Sequence, residues 1–199
     1  MHAPREATTP MLTLQTIEAM TRTDGEGWGQ AHARRVLVLA ERIGAELAYD
    51  REAFAFAVML HDWGAFPRYR LPGVDHALRS RQVAEWEILP QTTLSEDQRM
   101  LVLDAIELHD YRDTRPVATP EALLLREADF LDFLGVIGIA REFAWGPNDL
   151  PRCYERIVAR RDALRGRFTL PRAQAIAEQR FATMQATLDL LVDEALGEL

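Results

Sequence analysis

The sequence contains no lysine: all 23 basic residues among its 199 are arginine. That excludes a P-loop lysine, a Schiff-base lysine and pyridoxal chemistry. Any phosphate must be held by arginine, by backbone N–H groups or by a metal. Cys153 is the single cysteine, so no internal disulfide can form. It reads as a packing residue and suits a reducing compartment. No apolar stretch approaches the roughly 20 residues of a membrane helix. The opening MHAPREATTP has no apolar signal-peptide core, and a cytoplasmic location is expected. A net charge of −8 argues against a general nucleic-acid surface, which needs a basic footprint. Strand signals are nearly absent: no run of alternating β-branched residues occurs, and Asp24-Gly25 has no flanking strands.

Helical periodicity fills the space that strands leave, so the expected fold is all-α, a single domain over residues 1–199. A first helix follows Pro10 and ends near Thr23, before the loop DGEGWG at 24–29. A second runs from about Gln30 to Ala48, and a third from about Arg51 to Trp63. Two prolines and two glycines make 64–75 a connector. A fourth helix covers 76–89. Ser95 with Gln98 has capping-box spacing and starts a fifth. Thr119-Pro120 starts a sixth, which breaks near Gly135–Gly138. A short helix precedes the loop GPNDLP at 146–151. C-terminal helices are expected over about 151–199, the last running from Pro171. Its Ala177, Phe181, Met184, Leu188, Leu191 and Ala195 form a stripe that packs on the core or on a second copy of the chain.

Several polar residues stand where that periodicity calls for core. Stepping back from Val36, Leu39, Ile43 and Leu47 lands on His32. Phe54 and Ala57 lead to His61, and Ala55 and Val58 lead to Asp62. Val102 and Ile106 lead to His109. Leu125 and Phe133 flank Asp129 at four residues on either side. Each histidine alone would read as a hydrogen-bonded core residue, and Asp129 alone as an arginine partner. A buried unpaired carboxylate costs several kcal/mol. Three histidines and two aspartates converging from four helices are economically explained by one divalent cation in a bundle interior.

The order His32, His61-Asp62, Asp129 resembles the H…HD…D pattern of the HD superfamily of metal-dependent phosphohydrolases, an all-α fold. The context resembles it too. AHARRVLVLAERIG (31–44) is similar to the family's first helix, VMLHDWGAF to its second motif, and DHALRSRQVAEWEIL (75–89) to a segment placing another histidine. TPEALLLREADFLDFLGVIGIAREF (119–143) is similar to the final segment of a bacterial branch. The likeness spans about 25–146. It implies that His32, His61, Asp62 and Asp129 bind a divalent metal, with Mn, Co, Ni, Fe, Zn and Mg not distinguished. It also implies that Asp62, with His76 and His109, forms a catalytic set able to hold a second metal. For His76 a ligand or substrate contact stands against an exposed helix-start residue. Asp110 reads as a loop or capping partner. The implied activity is hydrolysis of a phosphoester or phosphoanhydride of a nucleotide or other small phosphorylated metabolite, by metal-activated water.

The metal-proximal position occupied by glutamate or lysine in some branches is Ala65 here, which weakens both the ppGpp-hydrolase and the cyclic-dinucleotide assignments. An acidic chain that binds phosphate needs a local positive pocket. The candidates are Arg35, one turn from His32; Arg68 and Arg70, after the HD pair; Arg79, one turn past His76; and Arg112, after His109. Trp28 and Trp63 either wall a base or pack. The rival readings are an HD-fold di-iron oxygenase and a non-catalytic nucleotide-binding module. No membrane partner is expected, and a homodimer is possible on the C-terminal stripe.

Overall fold

The computed structural model describes residues 11–199. The MHAPREATTP opening, with Pro10, lies outside the described residues. Nine α-helices and no strand occur among those described: α1 (Leu14–Asp24), α2 (Trp28–Ile43), α3 (Arg51–Leu60), α4 (His76–Val83), α5 (Glu96–Glu107), α6 (Pro120–Asp132), α7 (Gly135–Trp145), α8 (Leu150–Ala163) and α9 (Pro171–Glu194). Six of them start on a side-chain cap. Thr13, Asp50, Asp75, Ser95, Thr119 and Asp149 each accept from a first-turn N–H, worth about 1 kcal/mol apiece. At Ser95 the capping box with Gln98 is complete.

α2 packs on α6, α3 on α5, and α5 on α6. These four helices surround the centre of the bundle, in an apolar core that runs from Ile17 to Leu188. α1 lies across α2 and α3, while α7 and α9 pack together beside α6. The α9 stripe faces this core: Ala177, Met184 and Leu188 are buried, with Phe181 and Leu191 packed partly against it.

Some boundaries differ from the sequence expectation. α2 stops at Ile43, not Ala48, because the chain turns at Gly44, where a Cβ would lie 2.8 Å from a Leu124 methyl. α3 stops at Leu60, leaving His61 as its cap and Asp62 as the first non-helical residue. The expected helix over 76–89 is regular only to Val83. A π-helical turn (Ala84–Ile88) and a 3₁₀ turn (Leu89–Gln91) follow, since the Pro90 ring cannot sit over the carbonyl four residues back. The break after α6 falls at Phe133–Leu134, and Gly135 opens α7 with φ +72°. α8 is set by Asp149 and Pro151, the same cap-then-proline signature that starts α6.

Candidate metal centre

The HD turn is built by close packing. His61 keeps helical angles, and Asp62 leaves them at φ −104°, ψ 7°. Gly64 follows in a short 3₁₀ turn, where a Cβ would lie 2.2 Å from the His76 carbonyl oxygen and 2.6 Å from the Ser80 nitrogen. Only glycine lets α4 lie this near. The Gly64 N–H also donates to Ser80 Oγ at 2.8 Å. This contact sets His76 beside Asp62. Trp63 anchors the turn from below: it is fully buried, donates Nε1–H to Thr21 Oγ1, and stacks on Tyr69.

Four helices then bring their polar residues together. His32 Nε2 lies 3.0 Å from His61 Nε2, 3.4 Å from Asp62 Oδ2 and 3.2 Å from Asp129 Oδ1. His61 Nε2 lies 3.5 Å from the same Asp62 oxygen. The other ring nitrogens are already committed. His61 Nδ1–H donates to the Val58 carbonyl at 2.8 Å, and His32 Nδ1–H to Asp132 Oδ2 at 2.8 Å. A carbonyl only accepts, so the proton of His61 sits on Nδ1 and its Nε2 lone pair points inward. With both rings neutral, two imidazole lone pairs and two carboxylates converge with no donor between them. Asp129 Oδ1 is buried and makes no hydrogen bond. Such a nest repels itself unless a positive charge enters it. Two nitrogens and two carboxylate oxygens suit a divalent transition ion better than magnesium.

Asp132 supports this floor from behind. It takes the His32 Nδ1–H, two bonds from Arg35 at 2.8 and 2.9 Å, and one from Arg141 at 2.7 Å. A carboxylate on the far nitrogen of a ligating histidine fixes its tautomer and raises its basicity. Sequence reasoning gave Asp132 no role, although it stands one turn beyond Asp129 in the same segment.

The electrostatics follow from crowding. Burial pushes His61 down to about 4. Burial also opposes charge on Asp62, but the surrounding imidazoles hold its carboxyl well below the usual range. For His109, burial acts downward, yet the bond to Asp62 and the charge of Asp129 outweigh it and push the ring up to about 9. His32 is likewise raised against its burial by Asp129 and Asp132. The cluster thus draws positive charge onto whichever ring can hold it.

A second group shares Asp62. Its Oδ1 lies 3.6 Å from His76 Nε2 and 3.7 Å from His109 Nε2. His109 is buried and donates Nδ1–H to the Ile106 carbonyl at 2.6 Å. His76 is a quarter exposed, and its Nδ1 faces a donor instead, the Arg112 guanidinium at 3.1 Å. Asp110 accepts from the Arg112 backbone and side chain, as a turn partner does, and also lies 3.4 Å from His76 Nε2. His32, His61 and Asp62, and separately Asp62, His76 and His109, are close enough to hold a metal ion.

Asp62, His76, His109 and Asp129 floor a cavity of about 820 Å³, with His32 and His61 buried beneath it. Arg112, Arg141, Arg156 and Arg160 line it. Trp28 and Trp145 line it with ring centroids 6.3 Å apart. Of the five candidate arginines, Arg112 lines the cavity and the other four do not. Arg35 is held by Asp132; Arg68 pairs with Asp24; Arg79 donates to the Tyr69 carbonyl. Arg70 is exposed elsewhere. Of the two tryptophans, Trp28 walls the cavity and Trp63 packs in the core. Arg141, Arg156, Arg160 and Trp145 were missed. Arg141 lies inside the quoted 119–143 segment, but nothing in sequence marks the two α8 arginines off from their neighbours.

The HD domain family model matches residues 29–148, a span that takes in His32, His61-Asp62 and Asp129. Bacillus subtilis YpgQ superposes with a TM-score of 0.68 at 21% identity, over 94% of this chain and 97% of that one. YpgQ in complex with ADP gives 0.67 at 21% identity, over 93% and 96%. A predicted HD superfamily hydrolase from an uncultured Thermotogales bacterium gives 0.63 at 23% identity, over 91% and 90%. Likeness at these identities speaks for the fold. No curated protein matches the chain. The matched span covers more than half of the sequence and every residue of the H…HD…D pattern, and on that ground this chain belongs to the HD domain family.

Proposed function

We propose that this protein is a divalent-metal-dependent phosphohydrolase acting on a phosphoester or phosphoanhydride bond of a nucleotide or another small phosphorylated metabolite. The observation that carries the reading is the buried nest of His32, His61, Asp62 and Asp129, whose two carboxylates open onto an arginine-lined cavity. Those four residues would hold the ion, with Asp62, His76 and His109 available to a second. Held by these residues, a divalent cation would supply Lewis-acid polarisation of a phosphoryl oxygen and a water of lowered pKa.

The remaining work falls to the chain itself. Arg112 and Arg141 both line the cavity, each fixed by a carboxylate, where they would meet the charge that spreads over phosphoryl oxygens in the transition state. The donation of Arg112 to His76 Nδ1 leaves the proton of that ring on Nε2, aimed into the cavity. From there His76 can hydrogen-bond a phosphate oxygen or protonate the leaving oxygen. Trp28 and Trp145 offer flat faces for a base, and 820 Å³ accommodates a nucleotide. The ADP bound by YpgQ supports a nucleotide over a simple phosphoester.

The test is a phosphate-release screen over nucleotides and phosphomonoesters with Mn²⁺, Co²⁺, Ni²⁺, Mg²⁺ and Fe²⁺. Metal-dependent release, lost on chelation, is expected. O₂ consumption by an iron-loaded protein without phosphate release would favour the oxygenase reading. Nucleotide binding without turnover under any metal would favour a binding module.

A further inference from the structure

We propose that Arg156 and Arg160 form a second phosphate subsite, remote from the metal floor, so that the preferred substrate carries at least two phosphate groups in a chain. The inference rests on the reading of the cavity as a phosphate-ester site and specifies which esters it favours. Both residues belong to α8, which lies beyond residue 148, where the family match ends.

Three observations carry it. First, both arginines line the same cavity as the metal cluster. Second, they share one carboxylate. Glu142 is 2% exposed, and its Oε1 meets Arg156 Nε at 2.8 Å while its Oε2 meets Arg160 NH2 at 2.7 Å. Two guanidiniums on one buried carboxylate leave a net positive charge, and the hydrogen bond to Glu142 pre-orients the mostly buried Arg160. Gly146 makes room for this arrangement, since a Cβ there would lie 2.7 Å from Glu142 Oε1. Third, the pair is joined to the floor by a continuous cationic wall. Arg160 lies over the Phe133 ring at 4.8 Å, and Arg141 lies over the same ring at 4.6 Å. Arg141 in turn reaches Asp132, which holds His32. A phosphate chain whose reacting group sits on the floor would run along that wall and end at α8. A monophosphate has nothing to place there.

A structural reading is the alternative: Glu142 with its two arginines is a pin fastening α8 to α7. The two readings separate at one substitution, because only the subsite reading predicts a gain in phosphate affinity. In Glu142→Gln a pin loses strength, whereas a subsite loses its competing anion and gains affinity for phosphate.

The experiment is calorimetric titration of the Mn²⁺-loaded protein with AMP and with α,β-methylene-ADP, on the parent, Arg156→Gln, Arg160→Lys and Glu142→Gln. Thermal unfolding of each variant is recorded alongside. In the parent the diphosphate should bind about tenfold more tightly than AMP, the scale of one charge-assisted hydrogen bond. Arg156→Gln should erase most of that difference while AMP affinity stays unchanged; Arg160→Lys should reduce it. Glu142→Gln should tighten the diphosphate selectively even if its melting temperature falls. Equal parent affinity for both ligands, or equal weakening of both by Arg156→Gln, would overturn the subsite and leave the proposed hydrolase standing. A parent that binds neither nucleotide would sink the nucleotide reading and the subsite together.

Discussion

The floor of the cavity and its rim are made of the same residue types, yet they are wired differently. On the floor, His32, His61 and His109 are buried, and each offers Nδ1–H to an acceptor: Asp132, the Val58 carbonyl and the Ile106 carbonyl. Every one of these rings turns its Nε2 inward. On the rim, His76 is partly exposed and its Nδ1 meets the Arg112 donor, which places the proton on Nε2. A histidine wired like the floor is ready to ligate a cation; one wired like the rim is ready to donate a proton. Ligation by His76 would first require Arg112 to let go. The comparison therefore ranks the two candidate metal positions: one ion held tightly at the floor, and a second that loads weakly.

The largest effect expected is at the HD pair. His61→Ala and Asp62→Ala should each abolish metal retention and hydrolysis, because each removes a fixed donor and leaves the remaining ones facing an opened cavity. Elemental analysis of the purified variants checks this, and full metal content with full activity in either would erase the distinction between floor and rim. Next comes Asp132→Asn, which keeps the shape but weakens the hold on His32 Nδ1. Loss of such a supporting carboxylate costs about 10–100-fold in metal affinity, measurable by competition with a chelating dye. An unchanged affinity would mean that His32 is not oriented from behind.

A pH dependence sharpens the same comparison. In the metal-free floor, burial opposes charge on His109, but Asp62 and Asp129 push it up to about 9, so it carries a proton at neutral pH that a ligand must give up. His61, pushed down to about 4 by burial, is already neutral there. Proton release should therefore accompany metal binding at the weaker position, which uses His109, and its apparent affinity should rise with pH until about 9. Calorimetry in buffers of different ionisation heat counts those protons; affinity flat from pH 6 to 9 would contradict the wiring. The smallest effect belongs to Arg68. It is exposed and paired with Asp24 outside the cavity, so Arg68→Ala should shift stability by less than about 1 kcal/mol and leave metal affinity and turnover alone. A marked rise in KM would show that the pocket extends further than its walls suggest.

Much of the floor was legible from sequence because two periodicities disagreed there. His32, His61 and Asp129 sit at helical spacing from core residues, so their burial followed from the stripe, and their number made a shared cation the economical partner. His76 was less legible for the same reason: Ser80, Ala84 and Ile88 form a mixed face, and what brings the ring to Asp62 is the absent side chain of Gly64, a contact between elements. Arg35 shows the limit of counting turns. It stands near His32 along the helix, yet its guanidinium turns away from the cavity to Asp132. Trp63 follows the motif directly and is nonetheless core, since Thr21 and Tyr69 claim it. The α8 arginines carried no local signal at all. Arg156 and Arg160 differ from Arg152 and Arg161 only through Glu142, a residue on another helix. Helix ends drifted where a glycine or proline answers to a neighbour, as Gly44 does to Leu124.

The central claim is that the floor holds one ion tightly and the rim does not hold another equally well. Calorimetric titration of the apo-protein with Mn²⁺, on the parent and on His109→Ala, tests it most directly. The account predicts one tight site per chain in the parent, followed at most by a weak one, with the tight site surviving in His109→Ala and the weak one gone. Two equally tight sites in the parent, or no tight site at all, would contradict it.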